Sequence, residues 1–330
     1  MTVTPELVDA ERDRGRTAER PTEVGVRGAV DVAARVKRAV KRDDVALLAA
    51  GVAFYALLAL VPALVALVSV YGLVADPADI RRNVDDALSA APAEVRDLVG
   101  SQLSDIVGSS PSGLRLGAIV GVAVALWAAS GCVKHLMTAI NRAYHEEETR
   151  GFVALRGTAG ALTVALLVVG VVGLGIVVGA EVVAPDDGAL RSLALVVRWP
   201  LAALLVVAGL ALLYRYAPDR DQPRWDWASP GALFATLAWL VASIGFSIYT
   251  ANFSNYNETY GALGAIVVVM LWLWIGAFAV IAGAELNSEM ERQTVRDTTR
   301  GAPEPLGARD AYAADTLGER AGQRPAGSRG

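Results

Sequence analysis

The feature that most constrains this chain is the scarcity of charge in its middle. Of 64 Asp, Glu, Lys and Arg residues, 33 lie in residues 1–44 and 287–330, leaving 31 for the 242 residues between. A soluble domain carries about 25% charged residues; here the fraction is 19%, with a mean hydropathy of +0.42. That middle has too little polar surface to clothe a water-soluble core, which argues against a soluble enzyme. A helix needs roughly 20 apolar residues to cross about 30 Å of hydrocarbon. Six stretches qualify, at about 45–74, 116–135, 157–180, 193–214, 228–251 and 261–286. The fold class that follows is all-α, a bundle of six membrane-spanning helices.

Lys and Arg accumulate on the cytoplasmic side of membrane proteins. Ten precede the first span, Lys134, Arg142, Arg150 and Arg156 flank the second connection, Arg215, Arg220 and Arg224 the fourth, and seven follow the last span. That makes 24 against six on the alternate side. The bias places both termini in the cytoplasm and the protein in the plasma (inner) membrane. Three regions follow. Residues 1–43 form a polar tail with a basic amphipathic helix, in which Val26, Val30, Ala33, Val36 and Val40 alternate with the cluster from Arg27 to Arg42. Such a helix is drawn to anionic lipid headgroups at the cytoplasmic face. Residues 44–291 form the membrane domain. Residues 292–330, poor in large apolar side chains, are expected to be disordered.

Within the membrane domain, Pro62 is expected to kink the first helix. Ser229 and Pro230 suit an N-cap and first helical position of the fifth. In the connection 76–113, Ile80, Val84 and Leu88 and then Val95, Val99 and Leu103 repeat every four residues. This predicts two short amphipathic helices capping the outer face.

Several familiar chemistries are missing from the sequence. The net charge of −4 gives no general attraction to nucleic acid. One cysteine, Cys132, allows no internal disulfide or cysteine-cluster metal site. No phosphate loop of the GxxxxGK[ST] type occurs, and two histidines with dispersed acids do not make a two-metal nuclease centre. No cofactor, metal, catalytic group or nucleic-acid partner is expected.

Three segments have a more specific look. The first runs Ala49-Ala50-Gly51-Val52-Ala53-Phe54-Tyr55-Ala56-Leu57-Leu58-Ala59-Leu60-Val61-Pro62. The second runs from Leu126-Trp127 through Ser130-Gly131 to Asn141-Arg142-Ala143-Tyr144. The third runs from Tyr260-Gly261-Ala262-Leu263-Gly264-Ala265 through Leu271-Trp272-Leu273 to Gly283-Ala284-Glu285-Leu286-Asn287. In this order and spacing, across about residues 30–292, the chain resembles the YihY/BrkB family of polytopic inner-membrane proteins, once labelled ribonuclease BN. The resemblance implies six membrane helices and a role in the cell envelope. Gly51 and Ala59 depart mildly from the family's pattern.

Glu285 is the most informative single residue, because an ionisable group inside a span costs about 2.5–3.5 kcal/mol unless paired or wet. It pairs with Lys134 or Arg142, lines a cavity as a proton- or substrate-coupled carboxylate, or is simply exposed at the interface. Asn287 follows it; Lys134, His135, Asn141 and Arg142 share the end of the second span. Glu181 and Arg198 are expected to pair across the third and fourth spans, failing which Arg198 becomes a candidate for an anionic headgroup or substrate. The connection 252–260 is rich in amides and aromatics. Gly175 and Gly179, and more loosely Gly261 and Gly264, suit close helix packing. Transport of an envelope lipid or small solute is the expected function, supported if a polar cavity joins Tyr55, Lys134 and Glu285. A non-catalytic scaffold for envelope assembly is the alternative, and homo-oligomerisation is open.

Overall fold

The computed structural model describes residues 8, 10–71, 111–183, 188–252 and 254–323. After 3₁₀ turns at Arg12–Arg14 and Pro21–Glu23 come α1 (Val26–Arg42), α2 (Val45–Tyr71), α3 (Pro111–Tyr144), α4 (Phe152–Val183), α5 (Ala189–Tyr216), α6 (Trp225–Asn252), α7 (Ser254–Glu291) and the short α8 (Tyr312–Asp315). Among the described residues no strand forms, only an isolated bridge between Pro223 and Thr299. Helices α3 to α7 are each long and apolar enough to cross a membrane. α1 and the first part of α2 pass the same test together, as a pair bent by 62°. Among the described residues there are therefore five to six candidate membrane-crossing helices. The expected outer cap at 76–113 lies largely outside the described residues.

The six long helices are apolar around their whole circumference, the pattern of helices bathed in lipid. Val171, Leu204 and Val241 are accordingly exposed. Each helix packs on its neighbours in sequence, and α7 closes the ring by packing on α2 and α3. Burial concentrates at the end that carries α1 and the C-terminal segment, here called the terminal end. There Met137, Ile140 and Tyr144 of α3 meet Leu162, Leu213, Tyr214 and Ala228. A second cluster joins Val45, Ala49 and Val52 to Ala277 and Ile281.

Several local expectations need correction. Ser229 and Pro230 do not start α6. The helix begins at Trp225, and Ser229 Oγ donates to the Trp225 carbonyl inside it. The connection expected at 252–260 is helical except at 253, where the description breaks. A Cβ added at Gly175 or Gly179 meets nothing within 4 Å among the described residues, so neither marks a close helix contact there. Gly264 is buried, and the surroundings of Gly261 are not described. The close approach falls instead between Gly231 of α6 and Gly283 of α7: a Cβ on Gly283 would come within 2.6 Å of the Gly231 carbonyl oxygen. Only two glycines let these backbones come so near.

Residues 292–323, expected to be disordered, fold back over the terminal end. Polar contacts supply what large apolar side chains do not. Arg220 pairs with Glu291 at 2.7 Å, both side chains fully buried, and Thr298 Oγ1 donates to the same carboxylate. Arg309 donates to the carbonyls of Val295, Arg296, Glu304 and Ala314. Removing one member of a buried ion pair strands the other charge, at about 3–5 kcal/mol. Arg220→Ala is expected to lose that much in denaturant unfolding of the detergent-solubilised protein, whereas a double replacement of Arg220 and Glu291 by methionine should lose far less.

Candidate functional site

The polar residues singled out in the sequence gather at the terminal end but divide into separate groups. Asn141, buried near the end of α3, works on backbone and loops. Its Oδ1 accepts from the Asp219 amide at 2.8 Å, and its Nδ2 donates to Glu148 at 3.0 Å. Arg150 donates to Glu148 and to the Ala217 carbonyl, so the α3–α4 and α5–α6 connections are sewn together. Asn287, fully buried on α7, accepts from the Gly231 amide at 2.7 Å and donates to the Ala228 carbonyl at 3.0 Å. It thereby satisfies the backbone beside Pro230, a residue with no N–H to give.

Glu285 is 1% exposed, and neither carboxylate oxygen has a hydrogen-bond partner. The expected ion pair with Lys134 or Arg142 is not formed. Arg142 is exposed, on the rim of a cavity of about 400 Å³ with Asp43, Asn141, His145 and Glu146. Glu285 faces the carboxyl group of Asp43 instead. Asp43 sits in the α1–α2 corner and is held from its other side by Arg42 at 2.7 Å. None of the described cavities joins Tyr55, Lys134 and Glu285.

Tyr55 and His135 do meet. Their rings stack face to face, with centroids 3.6 Å apart and planes within 9°. This clamps α2 to α3 at the level of Lys134. Toward the opposite end, Arg198 donates to the Val177 carbonyl of α4 at 3.1 Å and lies beside the Trp199 ring. The side chain of Glu181, its expected partner, is outside the described part.

Sequence reasoning missed the residues that tie the termini to α7. Arg35 of α1 donates to Glu289 at 2.6 Å, to Gln293 at 2.8 Å and to the Glu319 carbonyl at 2.8 Å. Both Arg35 and Glu289 are buried, and burial holds the guanidinium below its ordinary pKa despite the facing carboxylate. Arg16 likewise reaches Glu11 and the Gly318 carbonyl. One signal was available: Glu289, Glu291 and Gln293 follow Glu285 at the end of an otherwise charge-free span. Nothing separated Arg35 from the exposed basic residues around it.

Arg42 donates to His145 Nε2 at 2.6 Å. A guanidinium has only donors to offer, so this ring nitrogen accepts and the imidazole is neutral. Burial first, and Arg42 next, lower the His145 pKa. The ring also stacks on Tyr312 of α8, with centroids 4.8 Å apart.

Two outcomes follow. A depressed histidine stabilises the fold at pH above its unfolded value near 6.5, and that stability is lost as pH falls through the folded value. Between about pH 7.5 and pH 5 the wild-type Tm should drop more than that of His145→Asn, whose amide oxygen still accepts from Arg42. Glu285→Gln places a donor against Asp43 and should melt no lower than wild type, with a gain of about 1 kcal/mol. Glu285→Ala, which removes packing without adding a donor, should melt lower.

A ring of lipid-facing helices with buried polar groups gathered at one end defines a multi-pass membrane protein. The chain belongs to the virulence factor BrkB family, whose model matches residues 36–306. It is 31% identical over 255 residues to the ribonuclease-like protein YfkH of Bacillus subtilis, a match covering 74% of this chain and 89% of YfkH. It is also 38% identical over 101 residues to a UPF0761 membrane protein of Tolumonas auensis, covering 31% of this chain and 33% of that one. A UPF0761 membrane protein of Xanthomonas oryzae pv. oryzae is 37% identical over 93 residues, 28% of this chain and 22% of its own. No solved structure matches the chain.

Proposed function

We propose that this protein moves an envelope lipid across the plasma membrane, with the terminal end in the cytoplasm. The observation that carries the reading is a groove of about 1150 Å³ between α5 and α6. Its body is apolar, lined by Ala203, Leu204, Leu233, Leu237 and Leu240, while Arg20, Thr22, Asp226 and Ser229 line its terminal end. From Asp226 to Leu240 the groove follows α6 for roughly 20 Å, longer than one leaflet of a hydrocarbon core about 30 Å thick. Polar groups of both signs at one end and hydrocarbon along the rest match an amphiphile better than a small polar solute. The charge bias of the connections supports the orientation.

A second reading, a membrane scaffold, is favoured by one observation: Glu285 is sealed among packed side chains with no described cavity joining it to Tyr55 and Lys134. The ribonuclease-like label belongs to YfkH; in this chain, among the described residues, no group of three or more His, Cys, Asp or Glu is placed to hold a metal ion.

Reconstitution separates the two. Vesicles containing the full chain and a headgroup-labelled fluorescent phospholipid should expose inner-leaflet label to a membrane-impermeant quencher faster than empty vesicles. Filling the groove with Ala203→Trp and Leu237→Trp should slow this at least about tenfold, a barrier change of roughly 1.4 kcal/mol, without loss of helicity. Rates equal to those of empty vesicles would favour the scaffold.

A further inference from the structure

We propose that the crevice between α3 and α4 is a binding site for the headgroup of an anionic phospholipid in the leaflet on the terminal side. This site is separate from the α5–α6 groove and does not depend on lipid transport. The crevice measures about 350 Å³, with Ala123, Leu126, Gly160 and Val164 along its apolar walls. Trp127 and Val164 are 61% and 50% exposed, so it opens on the lipid side. Nothing lies within 4 Å of a Cβ placed on Gly160, which leaves room along the wall for an acyl chain.

At its terminal end stands Arg156. The guanidinium lies 4.4 Å from the centre of the Trp127 ring and Nη1 donates to Ser130 Oγ at 3.3 Å. Its Nε is buried without a partner. Lys134 lies one turn beyond Ser130 on the same stripe of α3, and both cations are close enough to act on His135 electrostatically. Neither Arg156 nor Lys134 forms an ion pair among the described residues, whereas Arg35, Arg150 and Arg220 all do.

Depth decides what anion is at hand. Arg156 is four residues from the start of α4, about 6 Å along the axis, near the end of a candidate membrane-crossing helix, where a basic side chain is within reach of headgroups. Cations between transmembrane helices at this level meet lipid phosphates, and a guanidinium can grip two phosphate oxygens at once. Trp127 supplies an aromatic face of the kind found at the membrane interface. A free phosphate would meet the cations but leave the apolar walls uncovered; a phospholipid covers both.

The test is native mass spectrometry of the full chain released from detergent containing 1-palmitoyl-2-oleoyl phosphatidylglycerol or the matching phosphatidylcholine. Wild-type protein should retain the phosphatidylglycerol about tenfold more tightly. Arg156→Gln and Lys134→Gln should each weaken it about fivefold, Arg156→Lys should weaken it less than Arg156→Gln, and Arg142→Gln should leave it unchanged. Equal retention of the two lipids, or full retention by a helical, monodisperse Arg156→Gln/Lys134→Gln double variant, overturns the proposal. Displacement of phosphatidylglycerol by millimolar inorganic phosphate would reassign the site to a free anion and overturns it too. If Arg156→Gln does not fold, quenching of tryptophan emission by chain-brominated phosphatidylglycerol should differ between wild type and Trp127→Phe; identical quenching refutes the site.

Discussion

The architecture depends on neutralising the carboxylates at the end of α7. Glu289 and Glu291 leave the membrane region buried, a position few ionised groups can hold without partners. Arg35 from the N-terminal helix meets the first, and Arg220 from the α5–α6 connection meets the second. Because these arginines come from opposite sides of α7, their pairing fixes that helix relative to α1 and to the α5–α6 hairpin at once. Gln293 and Thr298 complete the hydrogen bonding, and the C-terminal segment is drawn over the bundle as a consequence.

The helical shafts follow a simpler rule. They need only be apolar and long, and lipid does not demand a particular partner for any one side chain. That explains why the membrane helices were readable from composition and run length, with ends displaced by several residues. The start of α6 was misplaced because Ser229 and Pro230 look like a helix start in isolation. Asn287 of α7 supports the backbone there, so the helix begins a turn earlier. The tail was misread for a related reason: disorder was inferred from the shortage of apolar side chains, yet arginine–carbonyl contacts order it. Such contacts leave no periodic trace in a sequence.

Glu285 shows the limit most clearly. Its isolation in a charge-free run marked it correctly as unusual, and an arginine or lysine partner was the economical guess. The corner between α1 and α2 brings Asp43 to it instead, with Asp44 in the left-handed region at φ 49° to make the turn. A bend of 62° is a tertiary property, and nothing in the local sequence announces its direction. Tyr55 and His135, in contrast, were both singled out from their segments, and the fold stacks them. Gly231 and Gly283 were passed over because neither is half of a Gly-xxx-Gly pair; each has an alanine at that spacing instead, Ala235 and Ala279, and alanines are too common in these spans to stand out, although the two glycines mark a close approach of α6 and α7.

The bonds of Arg35 to Glu289 and to the carbonyl of Glu319 span 254 and 284 residues of chain. A helix made before the membrane shafts therefore waits, its guanidinium unmated, until residues 289 and 319 have been made. Insertion of the shafts can proceed during synthesis, but this latch can close only after all of them exist. A product truncated before residue 289 would carry most of its hydrophobic segments and still lack its seal.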